Sequence, residues 1–161
     1  MNCQQVLSIF EEKMTPVVLN FWWEWNCESP FWASNEAAYT QYGYGEISPT
    51  ILGLPENIVE KLAQVGKWHD ASLNWNYPPD PGPWRQAECD LFNKESKLLF
   101  QQCCAMLPSH ITLIYKHCDI NEDPDLDRYL INPKNFKREV SKSWFSIFTQ
   151  KIARYLTHRS G

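Results

Sequence analysis

Three groups of residues in this 161-residue chain have types that could do chemistry, and in each the spacing argues against it. Trp68-His69-Asp70 sets an imidazole beside a carboxylate, the raw material of a general base. Neighbours on a helix point about 100° apart, however, so these two side chains would not face each other. His69 follows Val65 on the apolar face of its segment, where a packed histidine is the plainer expectation. Cys103-Cys104 and His117-Cys118 offer thiolate and imidazole, the donors zinc prefers. Zinc motifs generally separate paired ligands by about two to four residues, and neither adjacent pair does so. Asp119-Ile-Asn121-Glu-Asp123-Pro124-Asp125-Leu-Asp127 copies the alternating oxygen ligands of a calcium loop through its first half. It then departs, with Pro124 where a turn-making glycine is needed and Leu130 where a bidentate glutamate is needed. The sequence has no phosphate-binding glycine loop, no HExxH pattern and no Ser or Cys nucleophile with its base. No catalytic residue, metal ligand or cofactor is therefore assigned.

Acidity and aromaticity remain. Asp119, Glu122, Asp123, Asp125 and Asp127 place five carboxylates within nine residues. Four of the eight tryptophans, Trp22, Trp23, Trp25 and Trp32, fall in one short window. Consecutive strand residues point to opposite faces, so Trp22 and Trp23 cannot enter the same core layer. The net charge of −4 conceals an asymmetry: residues 1–133 carry 18 Asp and Glu against 8 Lys and Arg, whereas residues 134–161 carry 7 Lys and Arg against Glu139 alone. An acidic body repels phosphate and suits a basic protein partner. The expected partner surface is Asp119, Glu122, Asp123, Asp125 and Asp127 together with Trp22 and Trp32. Its carboxylates would speed encounter and its aromatic rings would hold the complex.

The elements that must position these residues follow from periodicity and breakers. Residues 4–13 read as a short helix. Residues 17–27 read as a β-branched and aromatic strand, and Phe31 to Gly53 as an ordered loop with one helical turn. A helix opens at Leu54-Pro55-Glu56 and runs to about Asn74, with Ile58, Leu62, Val65 and His69 at helical spacing. Four prolines between Tyr77 and Pro83 form a stiff connector. A second long helix spans Trp84 to Leu107, with Leu91, Phe92, Leu98, Leu99, Cys103 and Met106 on its apolar face. The two should pack as an antiparallel pair. Residues 111–116 form a strand pairing with the first, 119–127 an acidic loop, and about 133–158 a basic amphipathic helix striped with Val140, Trp144, Ile147, Phe148, Ile152 and Tyr155. The whole, residues 1–161, is expected to be a single globular α+β domain: a small β-sheet covered by a pair of long helices, with an additional C-terminal amphipathic helix. Without a basic leader or an apolar run of about 18 residues, the expected compartment is the cytoplasm. Most of the six cysteines are expected there as reduced, buried thiols.

The segments Phe21-Trp-Trp-Glu-Trp-Asn-Cys-Glu-Ser-Pro-Phe-Trp32, Leu54-Pro-Glu, Trp68-His-Asp and Pro81-Gly-Pro-Trp84 resemble bacterial immunity-type (antitoxin) proteins of polymorphic and contact-dependent toxin systems. The resemblance runs from about residue 20 to about residue 116. It implies a cytoplasmic protein that binds and neutralises a cognate toxin domain, and the acidic body suits a basic toxin of nuclease type. It carries over no catalytic residue. Two other classes stay open beside it: a small enzyme using His69 as acid or base, and a nucleic-acid or acidic-surface binder acting through Lys134, Lys137, Arg138, Lys142, Lys151 and Arg154.

Overall fold

The computed structural model describes residues 16–138. The helix expected over residues 4–13, and the basic helix from residue 139 onward, lie outside the described residues. The β-branched and aromatic run makes strand β1 (Val17–Phe21), the central strand of a three-stranded sheet of order β2-β1-β3. Strand β2 (Phe31–Ala33) returns antiparallel beside it, with Asn20 opposite Trp32. Strand β3 (Ile111–Tyr115) lies parallel on the other side, with Val17 opposite Ile111 and Phe21 opposite Tyr115. A parallel neighbour requires a crossover, and the two long helices supply it.

Helix α1 (Glu36–Tyr42) is capped by Asn35, whose side chain accepts from the Ala38 N–H at 3.0 Å. Helices α2 (Glu56–Asp70) and α3 (Gln86–Met106) follow. Lys61 of α2 pairs with Glu95 of α3, and Trp68 Nε1 donates to Glu88 at 3.1 Å. Contacts that climb one helix while descending the other define an antiparallel pair. Ile58, Leu62, Val65 and His69 on α2 and Cys89, Phe92, Ser96, Leu99 and Cys103 on α3 recur at three- and four-residue spacing and are buried. They meet Leu19, Phe21 and Trp23 from the inner face of β1, so the core lies between sheet and helices. Helix α4 (Leu126–Ile131) and a 3₁₀ turn (Pro133–Asn135) end the described chain.

Six expectations change. Phe31 to Gly53 is not loop with a single turn: it holds β2 and α1, because Phe31 and Ala33 point into the core and Asn35 nucleates a helix. The first strand stops at Phe21 rather than Cys27, where the chain turns through Asn26 in the left-handed region (φ 60°) that Asn tolerates. The first long helix stops at Asp70 rather than Asn74, its last turns tightening into i→i+3 bonds while Trp75 Nε1 donates to the Asp70 carbonyl at 2.8 Å. The apolar face of α3 is narrower than expected, since Leu91, Leu98 and Met106 are exposed. Further on, Leu126–Ile131 turns the end of the acidic loop into helix, and the segment after Asn132-Pro133 makes one 3₁₀ turn before Phe136 becomes extended. Among the described residues, no helix is long and apolar enough to cross a membrane.

Two glycines sit where elements approach closely, with opposite consequences. A Cβ on Gly82, in the proline-rich connector, would lie 2.1 Å from the Ser72 carbonyl oxygen, whereas one on Gly66 of α2 would meet Cys27 O and Trp23 Cζ3 at ordinary contact, 3.5 Å each. Gly82→Ala should therefore cost about 2–3 kcal/mol through forced backbone displacement. Gly66→Ala should be neutral or stabilise by up to about 1 kcal/mol through helix propensity. Urea unfolding of both variants checks this; a parental midpoint for Gly82→Ala would mean that the connector does not press on Ser72.

Candidate partner-binding surface

Beyond Phe21, β1 continues into a buried polar seam. Trp23 Nε1 donates to Ser96 Oγ at 2.9 Å, and Ser96 Oγ shares a further hydrogen bond with the Tyr115 hydroxyl at 3.1 Å. Burial pushes the Tyr115 phenol up from its ordinary value. The Trp23 backbone N–H, which has run past the end of β3, donates to His117 Nδ1 at 3.3 Å, so that nitrogen must be unprotonated. His69 is 3% exposed and packs face to face on Trp25, with ring centroids 5.6 Å apart, and edge-on to His117 at 5.6 Å. The Asp70 carboxylate is turned away to accept the Asn26 N–H at 2.7 Å. The His69 ring lies in the core, which weighs against the acid–base reading. The nearness of His69 to His117 is not visible in the sequence motifs. Its signal was the period-two series Leu113, Tyr115, His117 running past the end of β3.

The acidic segment behaves as a clamp. Its entry is gripped by Asn93, whose side chain donates to the Ile120 carbonyl at 2.8 Å and accepts the Ile120 N–H at 2.9 Å. Asp119 pairs with Lys97 at 2.7 Å. Glu122 accepts the Gln86 N–H at 2.7 Å, capping the N-terminus of α3 from a distance, and also pairs with Arg85 at 2.8 Å. Asp127 takes the same guanidinium at 2.7 Å. Asp123 holds Arg138 through two hydrogen bonds of 2.7 and 3.3 Å, and Asp125 binds Arg128 at 2.9 Å. Asp127 is the most open of the five carboxylates, its side chain 79% exposed, whereas Asp123 is 11% exposed. Arg138 is one of the cations behind the nucleic-acid reading, and this clamp already engages it. Lys134 and Lys137 are exposed, and Lys142, Lys151 and Arg154 lie outside the described residues.

The tryptophans divide as strand geometry requires. Trp23 is buried on the inner face, while Trp22 and Trp32 stack on the outer face with ring centroids 5.4 Å apart and planes within 9°. Trp32 Nε1 donates to the Trp22 carbonyl at 3.1 Å, and both rings are half-buried. They form a plate rather than two projecting anchors. The projecting aromatics are elsewhere: Tyr44 is 86% exposed and stacks on Tyr39. Nothing local in the sequence pairs Tyr39 with Tyr44.

Of the five described cysteines, all free, only Cys89 and Cys103 are buried, fewer than the composition suggested. Burial pushes the Cys103 thiol up to about 12. Burial, reinforced by the carboxylates of Glu46, Glu24 and Asp70, pushes Cys27 up to about 11. Cys104 and Cys118 are exposed. The adjacent pairs Cys103-Cys104 and His117-Cys118 are thus each split between interior and solvent, as side-chain alternation around a helix or along an extended segment requires.

A family model described as Serratia CdiI immunity protein-like matches residues 18–117, more than half of the chain. The match opens in β1 and closes on His117, so it contains the sheet, both long helices and the polar seam, and it ends before the acidic clamp. No curated protein matches the sequence.

Two measurements test this geometry. Asp123→Asn should cost about 1–3 kcal/mol in urea unfolding, because it removes the nearest carboxylate from a mostly buried guanidinium that keeps the Pro79 carbonyl and the more distant Asp125, while Asp127→Asn should leave the midpoint within about 0.5 kcal/mol. Equal midpoints for the two would contradict the clamp. Alkylation at pH 8 followed by peptide mass spectrometry should modify Cys118 at least about a hundredfold faster than Cys103, whose thiolate is both scarce and covered. Comparable rates at the two would place Cys103 on the surface.

Proposed function

The chain belongs to the Serratia CdiI immunity protein-like family, which gives it an immunity role, and we propose that it acts in the cytoplasm by binding and neutralising a basic, nuclease-type toxin domain. The observation that supports a basic partner is charge. The described residues 16–138 carry 16 Asp and Glu against 10 Lys and Arg, a net of −6. A surface of that sign draws in a basic domain and repels the nucleic acid on which such a domain would act. In the same reading Asp119 and Asp127, the open carboxylates of the clamp, contribute to steering. Glu122, Asp123 and Asp125 set the shape of that region, and the Trp22–Trp32 plate supplies apolar contact area.

The test is protection. Cells expressing the toxin domain encoded beside this chain's gene should arrest, and co-expression of the chain should restore growth. The purified pair should form a stable complex whose association rate falls steeply between about 0.05 M and about 0.5 M salt, because screening removes the steering. Arrest that persists with the chain in excess would reject the reading. A salt-independent association rate would reject the basic partner alone.

A further inference from the structure

On the reading that this chain binds a basic toxin domain, we propose where the toxin is held: the groove beside Ser34 and Glu36 takes one Lys or Arg side chain of the toxin, laid against the stacked rings of Tyr39 and Tyr44. The groove, about 640 Å³, is lined by Ser34, Asn35, Glu36, Tyr39, Thr40 and Tyr44. Ser34 comes directly after β2, and its N–H donates to the Val18 carbonyl at 2.9 Å.

The groove is built rigidly. Asn35 accepts the N–H groups of Val18 at 3.1 Å and Ala38 at 3.0 Å and donates to the Pro16 carbonyl at 2.7 Å, which ties the start of α1 to β1. Tyr44 stands between Gly43 and Gly45, both at positive φ (79° and 111°), a path that side-chain-bearing residues rarely follow. It is nonetheless fixed, because its ring lies on Tyr39 with centroids 4.8 Å apart and planes within 25°. An exposed aromatic already held in place loses little freedom on binding, which is what an anchor needs.

The charge says what kind of side chain enters. Residues 14–60 contain six glutamates and no Lys, Arg or His. Glu28, Glu36, Glu46, Glu56 and Glu60 take part in no ion pair among the described residues, whereas every carboxylate of the Asp119–Asp127 clamp already has a cation. Of these unpaired glutamates, Glu36 lines the groove itself. A guanidinium or ammonium in the groove would meet the faces of two tyrosines and the Glu36 carboxylate together.

Binding to the purified toxin domain encoded beside this chain's gene decides the matter. Tyr44→Ser should raise Kd at least about tenfold, mainly through faster dissociation. Glu36→Gln should slow association and flatten its salt dependence. Thr40→Lys keeps the tyrosine stack but supplies a cation of the chain's own, and it should weaken binding to a similar degree. Tyr77→Ser, which removes a 59% exposed aromatic from the proline-rich connector, should leave Kd unchanged. If the parental chain binds while Tyr44→Ser and Thr40→Lys bind equally well, the groove is not the seat, although the immunity reading stands. If the parental chain does not bind, that reading falls and this assignment with it. If the parental chain sediments as a dimer that Tyr44→Ser dissociates without changing toxin affinity, the groove seats a second copy and the proposal is overturned.

Discussion

Strand β1 has neighbours on both edges and work on both faces, and the rest of the molecule is arranged around that constraint. Its backbone pairs with β2 on one side and β3 on the other, so neither edge needs water. Its side chains then have only two destinations. Val17, Leu19, Phe21 and Trp23 go inward, where α2 and α3 must supply an apolar stripe long enough to cover them. Asn20 and Trp22 go outward, where, among the described residues, no long helix is packed and Trp32 closes over Trp22. The two faces of the central strand are thus treated differently: the long helices α2 and α3 cover the inner one, and paired tryptophans lie on the outer.

Where the strand runs out, polar groups take over from the ladder. His117 Nδ1 receives the Trp23 N–H that a longer β3 would have bonded, and Ser96 receives its indole. These bonds join β1, the segment beyond β3 and the middle of α3 in one buried place, where an unmet donor would cost about 1–3 kcal/mol. The acidic segment works in the same manner at the start of α3. Arg85 in the N-cap position makes no side-chain capping bond there, so Glu122 reaches across to satisfy the Gln86 N–H. Carboxylates that read as a patch for a partner are therefore committed largely to holding this chain's own helix end and arginines.

What was legible in the sequence was whatever local periodicity encodes. The helical spacing of Ile58, Leu62, Val65 and His69 announced α2 and the burial of His69, and the β-branched run before Phe21 announced the central strand. The three-residue strand β2 was not legible, because a strand so short carries too little alternation to separate it from loop and depends on pairing with distant residues, Leu19 to Phe21 on one edge and Glu46 on the other. The partners of the acidic loop were hidden for the same reason. Nothing local links Asp123 to Arg138 or Glu122 to Gln86, and a carboxylate looks alike in a one-dimensional string whether or not a distant guanidinium will meet it. The Tyr39–Tyr44 stack was missed because two glycines make a turn visible but do not say which side chain the turn carries outward.

The parallel pairing of β1 with β3 also has a consequence in time. The Trp23–His117 hydrogen bond spans 94 residues of chain. During synthesis the central strand emerges early, yet its second neighbour cannot exist until both long helices have been made. Topologies dominated by such distant pairings close slowly, since the entropy of a long loop must be overcome before the contacts return anything. Newly made chains therefore spend an interval with one edge of β1 unpaired and its apolar face uncovered, a state unable to present the finished outer surface.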